Sequence, residues 1–379
     1  MSLKIVSFIN QHPSDWEQLL TQKPYCLKIK RSPFAGGRYI MFNYDMIESD
    51  SYDPIVAEAR GLVLDSADNF EIVRKGFNRF FNIGEGPAAN IDWASAEATI
   101  KEDGTLIFLS YYDGRWIFGT RQNFDVFDAE MSSELYPTFG DLLMDVIQKK
   151  YPIFDKLLKN KDNSIFSKLD TYCFELCSRH NRIVIDYPEP KLFLLAAFDL
   201  LDGVECLDQD MYYLAQHMGV DCPEFYKMES SEDYSKLVED FGVQHEGLVI
   251  RDKFGQRLKM KSKLYFDLHK TVSNGAMDRE AIVRLVRKGE QAEFLSYFPD
   301  YAEKFAEIEQ LVAEASKTIS RIRHQTAQQR DEMGWSRKEF AMFHKQEKTS
   351  MLWFKAWEDK LTDDFISSIS DEKYLQLFG

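Results

Sequence analysis

Lys101 follows Ile100 at the end of an apolar stretch and is followed by Glu102, Asp103 and Gly104. A lysine amine becomes a nucleophile only when something removes its proton, so its neighbours matter more than the lysine itself. Lysine, any residue, aspartate, glycine is a short pattern that chance supplies in roughly one chain of this length in ten or twenty. Alone it marks a strand-end turn with a solvated lysine. Other charged residues along the chain give it weight. Arg60 opens the run Arg60-Gly61-Leu62-Val63, Arg79 precedes Phe80-Phe81-Asn82, and Arg121 closes a β-rich stretch. Glu175 lies between Phe174 and Leu176, Glu246 precedes Gly247-Leu248-Val249-Ile250, and Lys259 and Lys261 alternate with Leu258 and Met260. A carboxylate among such apolar neighbours is costly to bury unless a cation meets it. Two lysines two apart on a strand share a face and repel each other unless an anion lies between them. Carboxylates and lysines of this kind, converging in one cleft, suit a polyphosphate and a divalent metal. No GxxxxGK[ST], HExxH, GxSxG or kinase signature occurs, and Gly84-Glu85-Gly86-Pro87 is neither a phosphate loop nor GxGxxG. A nucleotide here would be held by side chains rather than by a glycine cradle.

The elements that must place these groups are short strands. Two β-rich arms, Leu106 to Thr120, flank Asp113-Gly114, a strong hairpin signal. Further strands are expected at 61–65, 172–176, 182–187, 192–200, 247–251 and 257–261, with helices at about 139–159 and 208–218. Strands interspersed with helices, without regular βαβ spacing, predict an α+β fold with antiparallel sheets. After Ser273-Asn274-Gly275 the periodicity turns helical: Ile308, Leu311, Val312, Ala315, Ile319 and Ile322 form one stripe, and Ser336 with Glu339 predicts a capping box. A length of 379 residues favours two domains, expected at 1–274 (α+β) and 275–379 (all α).

Composition narrows the class. With 44% hydrophobic, 14% aromatic and 29% charged residues, the chain reads as a globular protein rather than a disordered one. No apolar run approaches the ~20 residues that span a bilayer, and the first residues lack a signal-peptide core. Five cysteines without a CxxC pair suit neither a disulfide framework nor a zinc site, so a reducing cytoplasm is the expected setting. The net charge of −15 argues against a polyanionic partner. Two stretches oppose it. From Cys26 to Tyr39 there are four basic residues (Lys28, Lys30, Arg31, Arg38) and no acid, and Lys317 to Lys348 holds eight Lys/Arg against four Asp/Glu. Local basic surface can act on an acidic protein because exposed charges are screened beyond ~8–10 Å; the plain alternative is a solvated face.

Taken together, Lys101–Gly104, Phe174-Glu175-Leu176, Glu246-Gly247 and Lys259-Met260-Lys261 resemble, in order and gaps, the motifs of the covalent nucleotidyltransferase superfamily of ligases and capping enzymes. Glu58-Ala59-Arg60-Gly61, Arg79-Phe80-Phe81-Asn82, Asn181-Arg182-Ile183-Val184 and Lys261-Ser262 are similar to one branch, the bacteriophage RNA ligase 1 family of tRNA-repair type. The similarity runs over about residues 39–270; at Arg79 the family pattern has lysine, so a planar fork replaces a point donor. The resemblance implies an adenylation domain followed by a helical domain, with selection of the RNA or bracing of the catalytic body as its alternative roles. It implies ATP-dependent sealing of RNA 5′-phosphate and 3′-hydroxyl ends through AMP on Lys101, with Mg²⁺ or Mn²⁺. Asp103, Glu175 and Glu246 would orient the metal's water shell, and Glu175 has the ATP ribose as its other role. Lys259 and Lys261 would stabilise the attacked phosphate, and Arg60, Arg79 and Arg121 would grip pyrophosphate and the RNA end. Gly104 belongs to the ATP-binding turn, and Phe198 is the candidate for the adenine face, with core packing as its alternative. Arg321, Arg323, Arg330, Arg337 and Lys338, interleaved with Trp335, would face RNA, while Trp353 and Trp357 read as core. Expected partners are single-stranded RNA ends, cleaved tRNA among them, with no membrane, a monomer as the default state and the host cytoplasm as the place if phage-encoded.

Three alternatives stand beside this. A DNA ligase or a GTP-using capping enzyme would continue from the fifth motif into a β-rich OB domain, whereas this chain turns helical. A non-catalytic RNA-binding protein would let charged motif positions decay, and all are present. A structural protein would need five ordered motifs by accident.

Overall fold

The computed structural model describes residues 3–131, 133–160, 165–201, 203–205, 208–242, 244–262, 265, 277–289 and 291–379. The chain divides into two units, Met1–Lys270 and Thr271–Gly379. The boundary expected at 274/275 falls among residues 271–276, outside the described residues. None of the helices described is long and apolar enough to cross a membrane.

The first unit is α+β, as expected. Its strands are β1 Leu27–Arg31, β2 Tyr39–Tyr44, β3 Arg60–Asp65, β4 Glu71–Arg74, β5 Phe81–Asn82, β6 Glu97–Ile100 and β7 Thr105–Tyr112. They continue as β8 Arg115–Thr120, β9 Asp170–Cys177, β10 Lys191–Asp199, β11 Phe225–Tyr226, β12 Gly247–Arg251 and β13 Arg257–Lys261. Three sheets result, in the orders β1-β2-β3-β4, β10-β9-β7-β8 and β11-β6-β12-β13-β5. Pairing is antiparallel except where β13 meets the two-residue β5 in parallel, which the sequence did not announce. Asp113 and Gly114 join β7 to β8 with φ of 54° and 72°, the left-handed pair whose twist matches a two-residue hairpin.

Side-chain alternation decides what faces the site. In β9, Tyr172, Phe174 and Leu176 pack with Ile107, Leu142, Val146, Ile147 and Phe154 beneath the helices Phe139–Lys150 and Pro152–Lys159. Cys173 turns to the other face, against Phe108, Ala196 and Phe198. Period two sends Glu175 to that same face, away from its apolar sequence neighbours. In the third sheet, Ala98, Ile100, Leu248, Ile250, Leu258 and Met260 pack with Tyr234 and Val238 of the helix Ser231–Asp240, which leaves Lys259 and Lys261 on the opposite face.

Two expectations change. The helix predicted over 139–159 is two helices, broken at Tyr151 because the following Pro152 drives it out of the α region and opens the next helix. Residues 182–187, expected as a strand, pair with no strand. The backbone N–H groups of Val184 and Ile185 donate instead to the Asp103 carboxylate at 2.8 and 2.7 Å, so they are spent on a side chain.

The second unit is helical among its described residues. Its longest helix, Ala302–Ala327, buries Ile308, Ala315, Ile319 and Ile322 of the predicted stripe. Ser336 and Glu339 form the expected capping box at the helix Arg337–His344. Trp353 is 2% exposed and its indole N–H donates to Glu347 at 2.7 Å.

Candidate active site

Lys101 leaves the end of β6, where its backbone N–H donates to the Gly247 carbonyl at 2.8 Å. That bond sets it beside Glu246, the residue before β12. Gly247 is required here: its φ is 148°, and a Cβ would stand 2.1 Å from the Met260 carbonyl oxygen. The Lys101 ammonium donates to Glu246 Oε2 at 2.6 Å, and Lys261 Nζ lies 2.7 Å from Oε1. The Glu246 side chain is 3% exposed. A buried carboxylate is thus shared by two lysines that approach from different strands.

The charges act on one another. Burial lowers the Lys101 pKa, but attraction from Glu246, Glu175 and Asp103 outweighs it and the amine is held above its ordinary value. Burial raises Glu246, yet Lys101 and Lys261 carry it below the usual carboxylate range. Lys259 has no carboxylate within ion-pair distance among the described residues. Burial, then Lys101, Lys261 and Arg60, push its amine down to about 8. Glu175 faces this group and is pushed up to about 8, first by burial, with Lys101 and Arg60 pulling down and Glu246 and Asp103 pushing up.

Asp103 and Gly104 form the turn after Lys101. A Cβ at Gly104 would stand 2.2 Å from the Leu176 carbonyl oxygen, so only glycine lets this turn rest on β9. Asp103 is 2% exposed. Its Oδ2 accepts the two N–H groups of Val184 and Ile185, and its Oδ1 accepts the Tyr265 hydroxyl at 2.7 Å. Both oxygens, offered from sequence to a metal's water shell, are therefore occupied by protein donors. Its own N–H donates to the Tyr187 hydroxyl oxygen, and that hydroxyl donates to Glu102. Burial, opposed by this bond, pushes Glu102 up to about 7. Tyr187, Tyr265 and Glu102 were not singled out from sequence, because no spacing rule ties a distant phenol to this turn.

The three motif arginines gather around Tyr44, also missed. The Arg79 guanidinium lies 4.3 Å from the Tyr44 ring centre and 4.9 Å from that of Phe81, a seat that suits a planar fork better than the lysine of the family pattern. Arg121 lies 5.4 Å from the same Tyr44 ring and donates to its hydroxyl at 3.3 Å. Arg60 and Lys259 lie over Phe80 at 5.9 and 5.2 Å, which joins the arginines to the lysines. Asn43, at a β-bulge opposite Arg60, accepts the Gly61 N–H at 3.0 Å and donates to the Arg121 carbonyl at 2.7 Å. Among the described residues none of the three arginines meets a carboxylate, and Nη1 of Arg60 and of Arg79 is buried without a hydrogen-bond partner. Buried guanidinium N–H groups left unsatisfied are donors in wait of an anion.

Two further groups of expected residues have other surroundings. Phe198 is 4% exposed, meets Phe77 edge-on at 5.4 Å and carries the Lys75 ammonium 4.7 Å from its centre, the surroundings of a packed core ring. In the second unit Arg323 binds Asp363, Arg330 binds Asp331 and Asp359, and Arg337 binds Glu358. Arg321 and Lys338 are exposed, without such pairs among the described residues.

Residues 58–269 match the RNA ligase family model, and this span contains every motif residue from Arg60 to Lys261. The chain belongs to the RNA ligase family. This RNA ligase family chain is 30% identical over 292 residues to a protein of Autographa californica nuclear polyhedrosis virus named for polynucleotide kinase and RNA ligase, covering 72% of the chain and 39% of that protein. It is 26% identical over 206 residues to an RNA ligase of Rhodothermus phage RM378, covering 47% and 43%. Each match thus takes in less than half of the relative's own length. A solved archaeal ATP-dependent RNA ligase is similar at a TM-score of 0.46 and 13% identity, covering 85% of this chain and 83% of that one.

Proposed function

We propose that this RNA ligase family chain joins RNA 5′-phosphate and 3′-hydroxyl ends at the expense of ATP, through AMP carried on Lys101. The observation that carries this is the meeting of Lys101 with Glu246, Lys261 and Lys259 beside arginines that lack carboxylate partners among the described residues. The Lys101 nitrogen attacks the α-phosphorus of ATP after losing its proton, an N–P bond forms, and the bond to the β-phosphate oxygen breaks to release pyrophosphate. The RNA 5′-phosphate then attacks the same phosphorus, the N–P bond breaks and Lys101 regains its amine. Finally the 3′-hydroxyl attacks the RNA phosphorus and AMP leaves.

In the resting arrangement Lys101 is held as the ammonium above all by Glu246, so the first step needs that attraction redirected. Lys259, with its pKa already lowered, and Lys261 stand on the strand face that would meet the charge building on the attacked phosphate. Arg60 and Arg79 offer their unsatisfied N–H groups to phosphate oxygens, and Arg121 stands with them. No group of three or more His, Cys, Asp or Glu forms a metal cage among the described residues. That suits magnesium or manganese held mainly through water and nucleotide phosphates, with Glu175 and Glu246 as the carboxylates at hand. When bound, such a cation supplies positive charge that favours the neutral amine. Asp103 serves as the clamp of the loop 178–187. Cys26, Cys173, Cys177 and Cys222 are free thiols, which fits a reducing cytoplasm. In the helical unit, Arg321 and Lys338 are the cations most open to RNA, a cleaved tRNA being the substrate the family suggests.

Incubation with α-labelled ATP, followed by denaturation, is expected to leave label on the wild-type chain and none on Lys101→Ala. GTP in place of ATP tests the capping alternative, and 5′-phosphorylated RNA against DNA strands tests which polymer is circularised. Absence of retained label from active, folded protein would remove the proposal.

A further inference from the structure

Of the basic residues between Cys26 and Tyr39, three are neutralised inside the first unit. Lys28 meets Asp45 at 2.8 Å, Arg31 meets Glu17 at 2.6 Å, and Arg38 pairs with Asp65. Lys30 is the exception. It is exposed, and among the described residues no carboxylate reaches it. Its ammonium makes only long contacts, 3.5 Å to the Gln122 carbonyl and 3.4 Å to Asn123 Oδ1.

That place is the turn carrying Arg121. Lys28 and Lys30 lie opposite Asn43 and Met41 in the β1–β2 pairing, so all four share one face, the face from which Asn43 reaches the Arg121 carbonyl. The turn is stiff. Arg74, fully buried, donates to the carbonyls of Thr120, Asn123 and Phe124, and Thr120 Oγ1 accepts the N–H groups of Gln122 and Asn123. Lys30 therefore stands beside the turn whose Arg121 guanidinium shares the Tyr44 ring with Arg79, and its own ammonium lies at exposed surface.

Resting on the ligation reading, we infer that Lys30 takes a backbone phosphate of the single-stranded RNA whose 5′-phosphate sits at Arg79 and Arg121, so that the strand leaves the site across the β1 edge. A lone end phosphate held at Arg79 and Arg121 brings no second phosphate to Lys30. A strand of several nucleotides presents further phosphates, and each contact releases counterions.

The test is equilibrium binding to catalytically inert Lys101→Ala protein, which separates it from the ligation reading. The probes are a labelled 5′-phosphorylated oligoribonucleotide of about ten residues and a nucleoside 3′,5′-bisphosphate, each titrated over a range of salt. Lys30→Gln is expected to weaken oligonucleotide binding about 5- to 10-fold relative to its effect on the bisphosphate. It should also reduce the salt slope of log K by about 0.7, the value for one phosphate contact on a single strand. Lys30→Arg, which keeps the charge, is expected to restore both. An unchanged slope, or equal loss for both probes, would overturn the inference, and an equal loss for Lys30→Arg would assign Lys30 a structural role instead. Failure of the wild-type chain to take up AMP would count against ligation and leave this measurement standing.

Discussion

Lys101 and Glu246, 145 residues apart in sequence, meet with Nζ 2.6 Å from Oε2. The contact positions the amine proposed as nucleophile by the same bond that holds its proton. Glu246→Gln keeps the shape and removes the charge, so the attraction that outweighs burial at Lys101 is lost and its pKa falls. Labelling of Lys101 by an amine-acylating reagent, followed by mass spectrometry against pH, is expected to show a midpoint at lower pH in the variant. Adenylylation in a single turnover is nonetheless expected to fall about 100-fold, because the amine is no longer oriented and Lys261 loses its partner. An unmoved midpoint would mean that Glu246 does not control the protonation of Lys101.

Glu175 gives a stability prediction whose sign is fixed by its surroundings. Its carboxyl is pushed up to about 8 from an ordinary value near 4.5. Between these values the folded chain holds a proton that the unfolded chain has released, so stability from this group is complete below about 4.5 and is lost as pH rises through 8. Glu175→Gln cannot ionise. The difference in Tm between Glu175→Gln and wild type is therefore expected to grow in favour of the variant from pH 5 to pH 8.5. A difference that is flat or reversed over that range would show that the carboxylate is ionised and paired in the folded chain.

Asp103 separates two roles that sequence could not. If it clamps residues 184 and 185, Asp103→Asn keeps one oxygen and sets an N–H₂ against either the Tyr265 hydroxyl or the two backbone donors, which breaks one or two of the three accepted bonds. The expected loss is about 2–4 kcal/mol in denaturant unfolding without any metal present. A variant of wild-type stability whose activity merely needs more magnesium would show Asp103 to be a metal-shell residue after all.

Much of the fold was legible because its signals are local. Asp113-Gly114 set a hairpin, alternation in 257–261 set the face of Lys259 and Lys261, and Ser336 with Glu339 set a helix start. The charged motif residues were legible because strand alternation forces a carboxylate such as Glu175 to one face wherever its apolar neighbours pack on the other. What escaped depends on contacts far apart in sequence. Residues 182–187 have the composition of a strand, but Asp103 captures their N–H groups from 81 and 82 positions away. Phe198 has the composition of a base-stacking ring, yet Phe77 and Lys75 cover it. The arginines of the second unit read as free cations until Asp331, Asp359, Asp363 and Glu358 are seen beside them. Tyr44 and Asn43, around which Arg60, Arg79 and Arg121 are set, carry no motif at all.

Asn43 is the residue through which two of those arginines are set relative to each other. Its carbonyl oxygen accepts from Gly61, next to Arg60, and its amide donates to the carbonyl of Arg121; Gly61 is the extra residue of a bulge in β3 opposite Phe42 and Asn43. Asn43→Ala leaves both backbone groups without this partner and is expected to destabilise the chain by about 1–2 kcal/mol. Stability alone would not show a role in the site. As a positioning residue, Asn43 should also raise KM for 5′-phosphorylated RNA several-fold while acting only through Arg121. In an Arg121→Ala background, Asn43→Ala is therefore expected to add little to KM for RNA while still lowering Tm. Full additivity of the two substitutions in KM would refute that coupling, since independent groups add and groups acting in series do not.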